Sequence, residues 1–181
     1  MIRKLSFEEI QDKQPDLDAL REQIRYPYVV IADNIRSLHN VGALFRTSDA
    51  ARVQHLYLCG ITGTPPRDEI RKTSLGAEAS VPWSYEPDAV NLVERLKQQG
   101  YQIVVLEHTD SSFCFRKADY QFPLCLLIGH EYQGVQEQLV QKADLAVEIP
   151  MHGIKQSLNV SVAYGIMVYE LLNQWEHQSD L

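Results

Sequence analysis

Short apolar segments that alternate with helical ones are the sequence feature that most restricts how this chain can fold. Residues 28–32 (YVVIA) and 124–128 (LCLLI) are apolar throughout, as is typical of strands covered on both faces of a sheet. Strands are predicted over residues 28–32, 55–59, 102–106, 123–128 and 145–149. Helices are predicted over residues 40–53, 67–75, 87–99, 136–142 and 157–175. This alternation indicates an α/β fold with a mostly parallel sheet flanked by helices.

The length of the chain, 181 residues, suits a single hydrophobic core. Residues 7–26 have helical character, with a break expected at Pro15, and are interpreted as an extension before the main domain. The predicted division is an N-terminal helical extension over residues 1–27, a domain over 28–176 and a tail over 177–181. The apolar stretches are too short to cross a bilayer and the first residues do not resemble a signal peptide, so a cytoplasmic protein is expected.

The charge of the chain is unevenly distributed. A formal net charge of −7 disfavours RNA as a partner, because non-specific RNA binding depends on neutralising phosphates. Residues 36–76, however, contain six basic and three acidic side chains. Two interpretations stay open at this point: a local basic face that docks RNA on an acidic body, and ordinary surface charge.

The cysteines and histidines show no pattern typical of a metal site. Cys59, Cys114 and Cys125 are odd in number and far apart, which argues against both a disulfide framework and a zinc site. The histidines also lack metal-ligand spacing. We therefore expect three reduced thiols, with Cys59 and Cys125 buried, and no bound metal.

Three polar or glycine-rich segments follow predicted strands, over residues 33–42, 129–134 and 150–159. In parallel sheets, ligands bind at the carboxyl ends of the strands, so these segments are the candidate binding loops. Each also has a purely structural interpretation. Glu131, between Gly129 and Gly134, either binds a ligand or lies in solvent beside a tight turn. Ser157 either opens a helix N-terminus that meets an anion or simply caps the final helix.

The helix after the first segment carries two polar candidates. Asn40 is the expected N-cap of the helix over residues 40–53. Arg46 lies in the second turn of that helix, where an arginine either faces solvent or binds a phosphate or carboxylate.

The final helix is apolar on nearly every side. Between positions 158 and 172 its only charged residue is Glu170. A helix of this kind is buried all round, which in a small protein predicts contact with a second subunit as well as with the core. The alternative is a central core helix in a monomer.

Four sequence segments together resemble the SpoU (TrmH-like) branch of the SPOUT RNA methyltransferases. They are HNVGALFRTSDA at residues 39–50, RKTSLGAEASVPW at 71–83, LLIGHEYQGV at 126–135 and IPMHGIKQSLNVSVAYGIMVYE at 149–170. The resemblance extends over about residues 28–175. It implies an S-adenosylmethionine-dependent enzyme that methylates a ribose 2′-hydroxyl of RNA. It also implies a homodimer formed through the C-terminal helix and a trefoil knot near the C-terminus. The pattern of strands and helices alone, by contrast, predicts an ordinary doubly wound sheet without a knot.

The resemblance also implies roles for particular residues. The family's catalytic positions correspond to Asn40, Arg46, Glu131, Ser157 and Asn159. The expected methyl-donor site consists of Glu107, His108, Thr109, Ile128, Gly129, His130, Glu131, Gly134, Ile149, Met151, Ser157 and Leu158. The residues expected to bind RNA are Arg36, Arg46, Arg67, Arg71, Lys72 and Lys155.

The expected chemistry depends on Arg46. A guanidinium hardly ever loses its proton, so we expect Arg46 to act as a cation that holds a phosphate and stabilises developing alkoxide charge, rather than as a base. The substrate is expected to be tRNA rather than rRNA. Two rival functions are a non-catalytic RNA-binding dimer with the same fold and a nucleotide-dependent oxidoreductase. The oxidoreductase is disfavoured because the chain lacks its glycine fingerprint.

Overall fold

Seven parallel strands form one sheet in the computed structural model, which describes residues 1–179. The strands are β1 (Tyr26–Asp33), β2 (Val53–Cys59), β3 (Trp83–Glu86), β4 (Gln102–Leu106), β5 (Phe113–Cys114), β6 (Leu124–Ile128) and β7 (Leu145–Glu148). The helices are α1 (Phe7–Gln11), α2 (Leu17–Glu22), α3 (Leu38–Ala50), α4 (Asp68–Ser74), α5 (Ala89–Gln98), α6 (Glu137–Val140) and α7 (Val160–Gln178). The strand order is β3-β2-β1-β6-β4-β7-β5, which confirms the predicted α/β class.

The sheet separates two layers of helices. Side chains of successive strand residues point to opposite faces, so Val30 and Leu126 pack with α3 and α7, whereas Ile31 and Leu127 pack with α5 and α6. Strands β1 and β6 lie at the centre, with Ile31 opposite Leu127, and both are buried along nearly their whole length. The apolar character of these strands therefore has the cause that the sequence indicated: they are covered on both faces.

Both edge strands were missed by the sequence prediction. Strand β3 covers four residues and β5 only two, and each pairs with a single neighbour. Such short edge strands do not need a continuous apolar run, because one side of the strand stays unpaired and both faces are only partly covered.

The predicted cap of α3 was wrong, and of the two interpretations of Ser157 the structure contradicts the one in which it caps α7. Helix α3 begins at Leu38, and its N-cap is Ser37, whose Oγ accepts a hydrogen bond of 3.3 Å from the Asn40 amide. Helix α7 begins at Val160, and its cap is Asn159 rather than Ser157, because Asn159 Oδ1 accepts the Ser161 amide at 2.9 Å. Asn40 and Ser157 are therefore not the caps of these two helices.

The N-terminal residues form two short helices, with the expected break at Pro15. Helix α1 has a capping box made by Ser6 and Glu9, and α2 is capped by Asp16. Strand β1 starts at Tyr26, two residues before the predicted domain boundary, and α7 continues into the predicted tail. The last two tail residues, 180–181, lie outside the described residues. Within residues 1–179, no helix combines the length and apolar character needed to cross a membrane.

Candidate active site

One cavity lies at the carboxyl ends of β4, β6 and β7, beside the first turn of α7. It has a volume of about 180 Å³. Its walls are formed by Leu106, Glu107, His108, Ile128, Gly129, His130, Glu131, Tyr132, Gly134, Glu148, Ile149, Met151, Ser157, Leu158, Val160 and Ala163. The strand ends supply apolar walls, and the loops that follow them supply backbone groups and carboxylates. This is the place where a parallel sheet is expected to bind a ligand.

Eleven of the twelve residues predicted to hold the methyl donor line this cavity. The exception is Thr109, which instead closes the turn after β4: its carbonyl accepts a hydrogen bond of 3.2 Å from Ser112 Oγ. The sequence prediction did not include five lining residues, which are Leu106, Tyr132, Glu148, Val160 and Ala163. Val160 and Ala163 could have been found from the sequence, because a helix places residues three apart on one face. The donor-binding role of the whole set stays a prediction.

Gly129 and Gly134 allow the loop after β6 to fold tightly on itself. The loop is closed by two backbone hydrogen bonds between His130 and Gly134, of 3.0 and 2.9 Å. A Cβ atom on Gly129 would lie 2.3 Å from the Gly134 carbonyl carbon. Gly134 has a φ of +70°, and a Cβ there would lie 2.1 Å from Glu107 Oε2. Neither position has room for a side chain, and Gly134 also needs a backbone conformation that glycine adopts readily.

Glu107 fastens the same loop to β4. Its Oε2 accepts a hydrogen bond of 3.0 Å from the Val135 amide, and its Oε1 accepts the His108 amide at 3.0 Å. The carboxylate therefore links the end of β4 to the loop after β6. Charge-assisted hydrogen bonds hold this part of the cavity wall in place.

Glu131 connects the cavity to the start of α3. Its Oε2 accepts the Arg36 amide at 3.1 Å, and its Oε1 accepts both the Ser37 amide at 3.0 Å and Asn40 Nδ2 at 2.9 Å. Partial burial raises the pKa of the Glu131 carboxyl, but hydrogen bonds from its own backbone amide, Asn40, Ser37 and Arg36 outweigh that effect and leave the pKa below its ordinary value. The free amides at the N-terminus of α3 also stabilise the negative charge of the Glu131 carboxylate, since they carry partial positive charge.

Asn40 joins two of the three candidate loops. Besides its bond to Glu131, its Oδ1 accepts a hydrogen bond of 3.2 Å from Asn159 Nδ2. Three of the five predicted catalytic residues thus form one hydrogen-bonded chain, Asn159–Asn40–Glu131. Asn40 lies within the first turn of α3 rather than at its cap position, and its side chain is used across the fold.

The other two predicted catalytic residues are placed differently. Ser157 is exposed, lines the cavity and forms no hydrogen bond within residues 1–179. Arg46 is exposed on α3 and lies outside the cavity wall, and its side chain forms no hydrogen bond to a described residue. Both side chains are therefore available to an incoming ligand.

The residues predicted to bind RNA are all exposed. Arg46 is on α3, and Arg71 and Lys72 are on α4, which packs closely against α3: Thr73 Oγ1 donates a hydrogen bond of 3.0 Å to the His39 carbonyl. Arg71 also pairs with Asp68 at 3.2 Å, so part of its charge is neutralised. The set as a whole is Arg36, Arg46, Arg67, Arg71, Lys72 and Lys155.

The parallel sheet and the cavity at its carboxyl edge define an α/β domain whose ligand site is built from strand-end loops. The chain belongs to the SpoU rRNA Methylase family, whose model matches residues 27–169. This confirms the family indicated by the sequence motifs. Within residues 1–179, no group of three or more His, Cys, Asp or Glu side chains is arranged to hold a metal ion.

Several known proteins are similar to the chain. A tRNA (guanosine(18)-2′-O)-methyltransferase from Aquifex aeolicus is 39% identical over 153 residues, which cover 83% of this chain and 71% of the relative. A protein of the same name from Thermus thermophilus is 34% identical over 173 residues, covering 95% and 82%. The crystal structure of an A. aeolicus TrmH/SpoU tRNA modifying enzyme has a TM-score of 0.82 and 37% identity, covering 90% of this chain and 84% of that one. The AdoMet-bound rRNA methyltransferase from Sinorhizobium meliloti has a TM-score of 0.77 and 28% identity, covering 86% and 60%.

Proposed function

We propose that this protein transfers a methyl group from S-adenosylmethionine to a ribose 2′-hydroxyl of RNA, with tRNA preferred over rRNA. The observation that carries the proposal is the meeting of separate family motifs: the segments over residues 129–134 and 149–158 both contribute side chains or backbone to one cavity, and Asn40 of the first motif is hydrogen-bonded to both neighbouring loops. The names of the relatives support the tRNA preference, and they make guanosine 18 the first nucleotide to test.

The cavity suits a cationic donor that is partly apolar. Glu107, Glu131 and Glu148 place carboxylates in or beside its walls, which favours a sulfonium and an ammonium group. Ile128 and Leu158 offer apolar contact to the remaining parts of the donor. When bound, S-adenosylmethionine supplies an electrophilic methyl group.

The work left to the chain is to position the ribose and to stabilise charge on its oxygen. A guanidinium hardly ever loses its proton, so the role of Arg46 is electrostatic: it holds a phosphate and stabilises the negative charge that develops at the 2′-oxygen, while the hydroxyl proton passes to solvent water. The hydrogen bonds among Asn40, Glu131 and Asn159 hold the loops in fixed positions relative to one another. Ser157, at the cavity wall, is available to hydrogen-bond the ribose.

A homodimer through α7 is part of the proposal. The side chains of Val162, Ile166 and Tyr169 are 50%, 37% and 51% exposed, and their spacing places them on one face of the helix. Covering this apolar face against a second copy stabilises both copies. Arg46 lies outside the cavity wall of its own subunit, which is compatible with a site completed by residues of two subunits.

The remaining expectations belong to the same proposal. They are the trefoil knot, the division into residues 1–27, 28–176 and 177–181, and a cytoplasmic location.

The proposal is tested by Arg46→Ala, with Arg95→Ala as the matched control. Arg95 is an arginine on α5, on the opposite face of the sheet, where it pairs with Glu86. We expect Arg46→Ala to lower turnover on tRNA transcripts at least about 100-fold, a magnitude typical of removing one transition-state stabiliser. S-adenosylmethionine binding, measured by calorimetry, should stay unchanged in both variants.

Mapping of 2′-O-methyl sites in tRNA and rRNA from a deletion strain identifies the substrate. Full turnover by Arg46→Ala would reject the assigned role of that residue. Donor binding without turnover on any RNA would favour the rival, a non-catalytic RNA-binding dimer.

A further inference from the structure

The imidazole of His108 bridges two segments that line the cavity. Its Nδ1 lies 3.1 Å from Glu148 Oε2 at the end of β7, and its Nε2 lies 3.1 Å from the Gln156 carbonyl oxygen. Ser112 Oγ donates another hydrogen bond, of 2.6 Å, to the same Glu148 oxygen. The ring therefore connects the turn after β4, the end of β7 and the irregular segment over residues 150–158.

Both hydrogen-bond partners of this ring are acceptors. A backbone carbonyl has no proton to donate. Hydrogen bonds from Ser112 and His108 lower the pKa of the Glu148 carboxyl, which keeps it ionised at neutral pH. A neutral imidazole donates from one nitrogen only, whereas an imidazolium donates from both. The two contacts are therefore satisfied together only when His108 is protonated.

We propose that protonated His108 is a positioning residue that holds the segment over residues 150–158 in the shape that binds the methyl donor. Met151, Ser157 and Leu158 in this segment line the cavity. The segment has no helix or strand and is mostly exposed, so little else orders it. Ordering a segment before binding reduces the entropy lost on binding, and breaking the bridge therefore weakens donor affinity. The inference rests on the proposed function, because it takes the ligand to be S-adenosylmethionine.

The surroundings of the ring favour this role. Its side chain is 51% exposed and so exchanges protons directly with solvent. Among the described residues, Glu148 is the group that forms an ion pair with it. The titratable groups on the three connected segments are Glu107, Asp110, Glu148, His152 and Lys155.

The test is the affinity for S-adenosylmethionine, measured by calorimetry between pH 5.5 and 8.5. In His108→Asn the amide nitrogen takes the place of Nδ1, so it still donates to Glu148 but does not reach Gln156. Because imidazoles lose their proton near neutral pH, we expect this variant to bind about fivefold more weakly than the wild type at the acidic end, as is typical of a half-exposed charged contact. The difference should disappear at the alkaline end. Titration of the donor's own amino group affects both proteins equally.

Two further variants make the result specific. His152→Asn removes an exposed histidine from the same segment that forms no hydrogen bond within residues 1–179, and it should follow the wild type at every pH. His108→Gln places an amide nitrogen near Nε2, so it keeps the contact to the Gln156 carbonyl and loses that to Glu148. It should also bind more weakly than the wild type only at acidic pH, which tests the bridge even if His108→Asn fails to fold.

Three results would overturn the inference. The first is equal affinity in the wild type and His108→Asn across the whole pH range. The second is a loss of affinity in His108→Asn that does not change with pH, since that indicates a merely structural role. The third is absence of donor binding by the wild type, which would overturn the proposed function as well.

Discussion

Replacement of Gly129 by alanine tests whether the loop after β6 needs its close backbone approach. A Cβ atom at this position would lie 2.3 Å from the Gly134 carbonyl carbon and 2.3 Å from the Val135 nitrogen. Ordinary van der Waals contacts of a Cβ are 3.4–4 Å, so the opposing backbone must move by about 1 Å. Backbone cannot rotate away as a flexible side chain can, and the clash is therefore not relieved cheaply.

The expected loss of stability follows from the bonds that such a movement breaks. The backbone that faces Gly129 is held in place by two hydrogen bonds between His130 and Gly134 and by the 3.0 Å bond from the Val135 amide to Glu107. Overpacking a tight site costs about 1–3 kcal/mol, and each intramolecular hydrogen bond contributes about 1 kcal/mol net. We therefore expect Gly129→Ala to lower the free energy of unfolding by about 3 kcal/mol. Donor binding should weaken at least about tenfold, because the loop lines the cavity.

The assay is denaturant unfolding at one fixed protein concentration, together with calorimetry of S-adenosylmethionine binding. Gly153→Ala is the matched control, since a Cβ there would meet no atom within 4 Å. Its stability should stay within about 0.5 kcal/mol of the wild type. If Gly129→Ala were as stable as Gly153→Ala and bound the donor normally, the steric reasoning would be wrong.

The other predictions concern titration, a buried hydrogen bond and the thiols. Glu131→Gln should make stability less dependent on acid: the lowered pKa of Glu131 means that its carboxylate stabilises the fold above the ordinary glutamate range and loses that effect as the pH falls through the lowered pKa, so denaturant unfolding at pH 3–7 should show a shallower acid decline in the variant. Tyr164→Phe removes the buried 2.7 Å hydrogen bond to Ser48 and should lower the free energy of unfolding by about 1–2 kcal/mol; if the double variant with Ser48→Ala loses the full sum of the two single losses, the bond does not contribute. Thiol titration at pH 8 should modify Cys114 first, because burial raises the pKa of Cys59 to about 12 and Cys125 is also buried; rapid reaction of all three thiols in the native state would contradict this.

The strands of the sheet centre were predictable because their cause is local. Residues 102–106 and 124–128 form strands close to the predicted bounds, since burial on both faces requires an apolar side chain at every position. The edge strands β3 and β5 were not predictable in the same way. Their pairing depends on which neighbour the chain passes beside, and four or two residues carry too little pattern to show this.

The helix caps show a different limit of sequence reasoning. Near the start of α7 both Ser157 and Asn159 are chemically able to cap, and near α3 both Ser37 and Asn40 are. Local preference does not choose between them. The choice depends on where each helix starts in the folded chain: α3 begins at Leu38, so Asn40 lies within its first turn, where its side chain binds Glu131 from the loop after β6.

The amino-acid sequence alone determined the alternation of strands and helices, the family and the strand-end loops that form the cavity. These depend on the type and spacing of neighbouring residues, which a sequence displays directly. Only the tertiary structure decided that Glu131 binds the start of α3 and that His108 joins β7 to the segment over residues 150–158. The physical reason is distance along the chain: the atoms of these hydrogen bonds are about 40 to 95 residues apart in sequence and meet only after the sheet has brought its strand ends together.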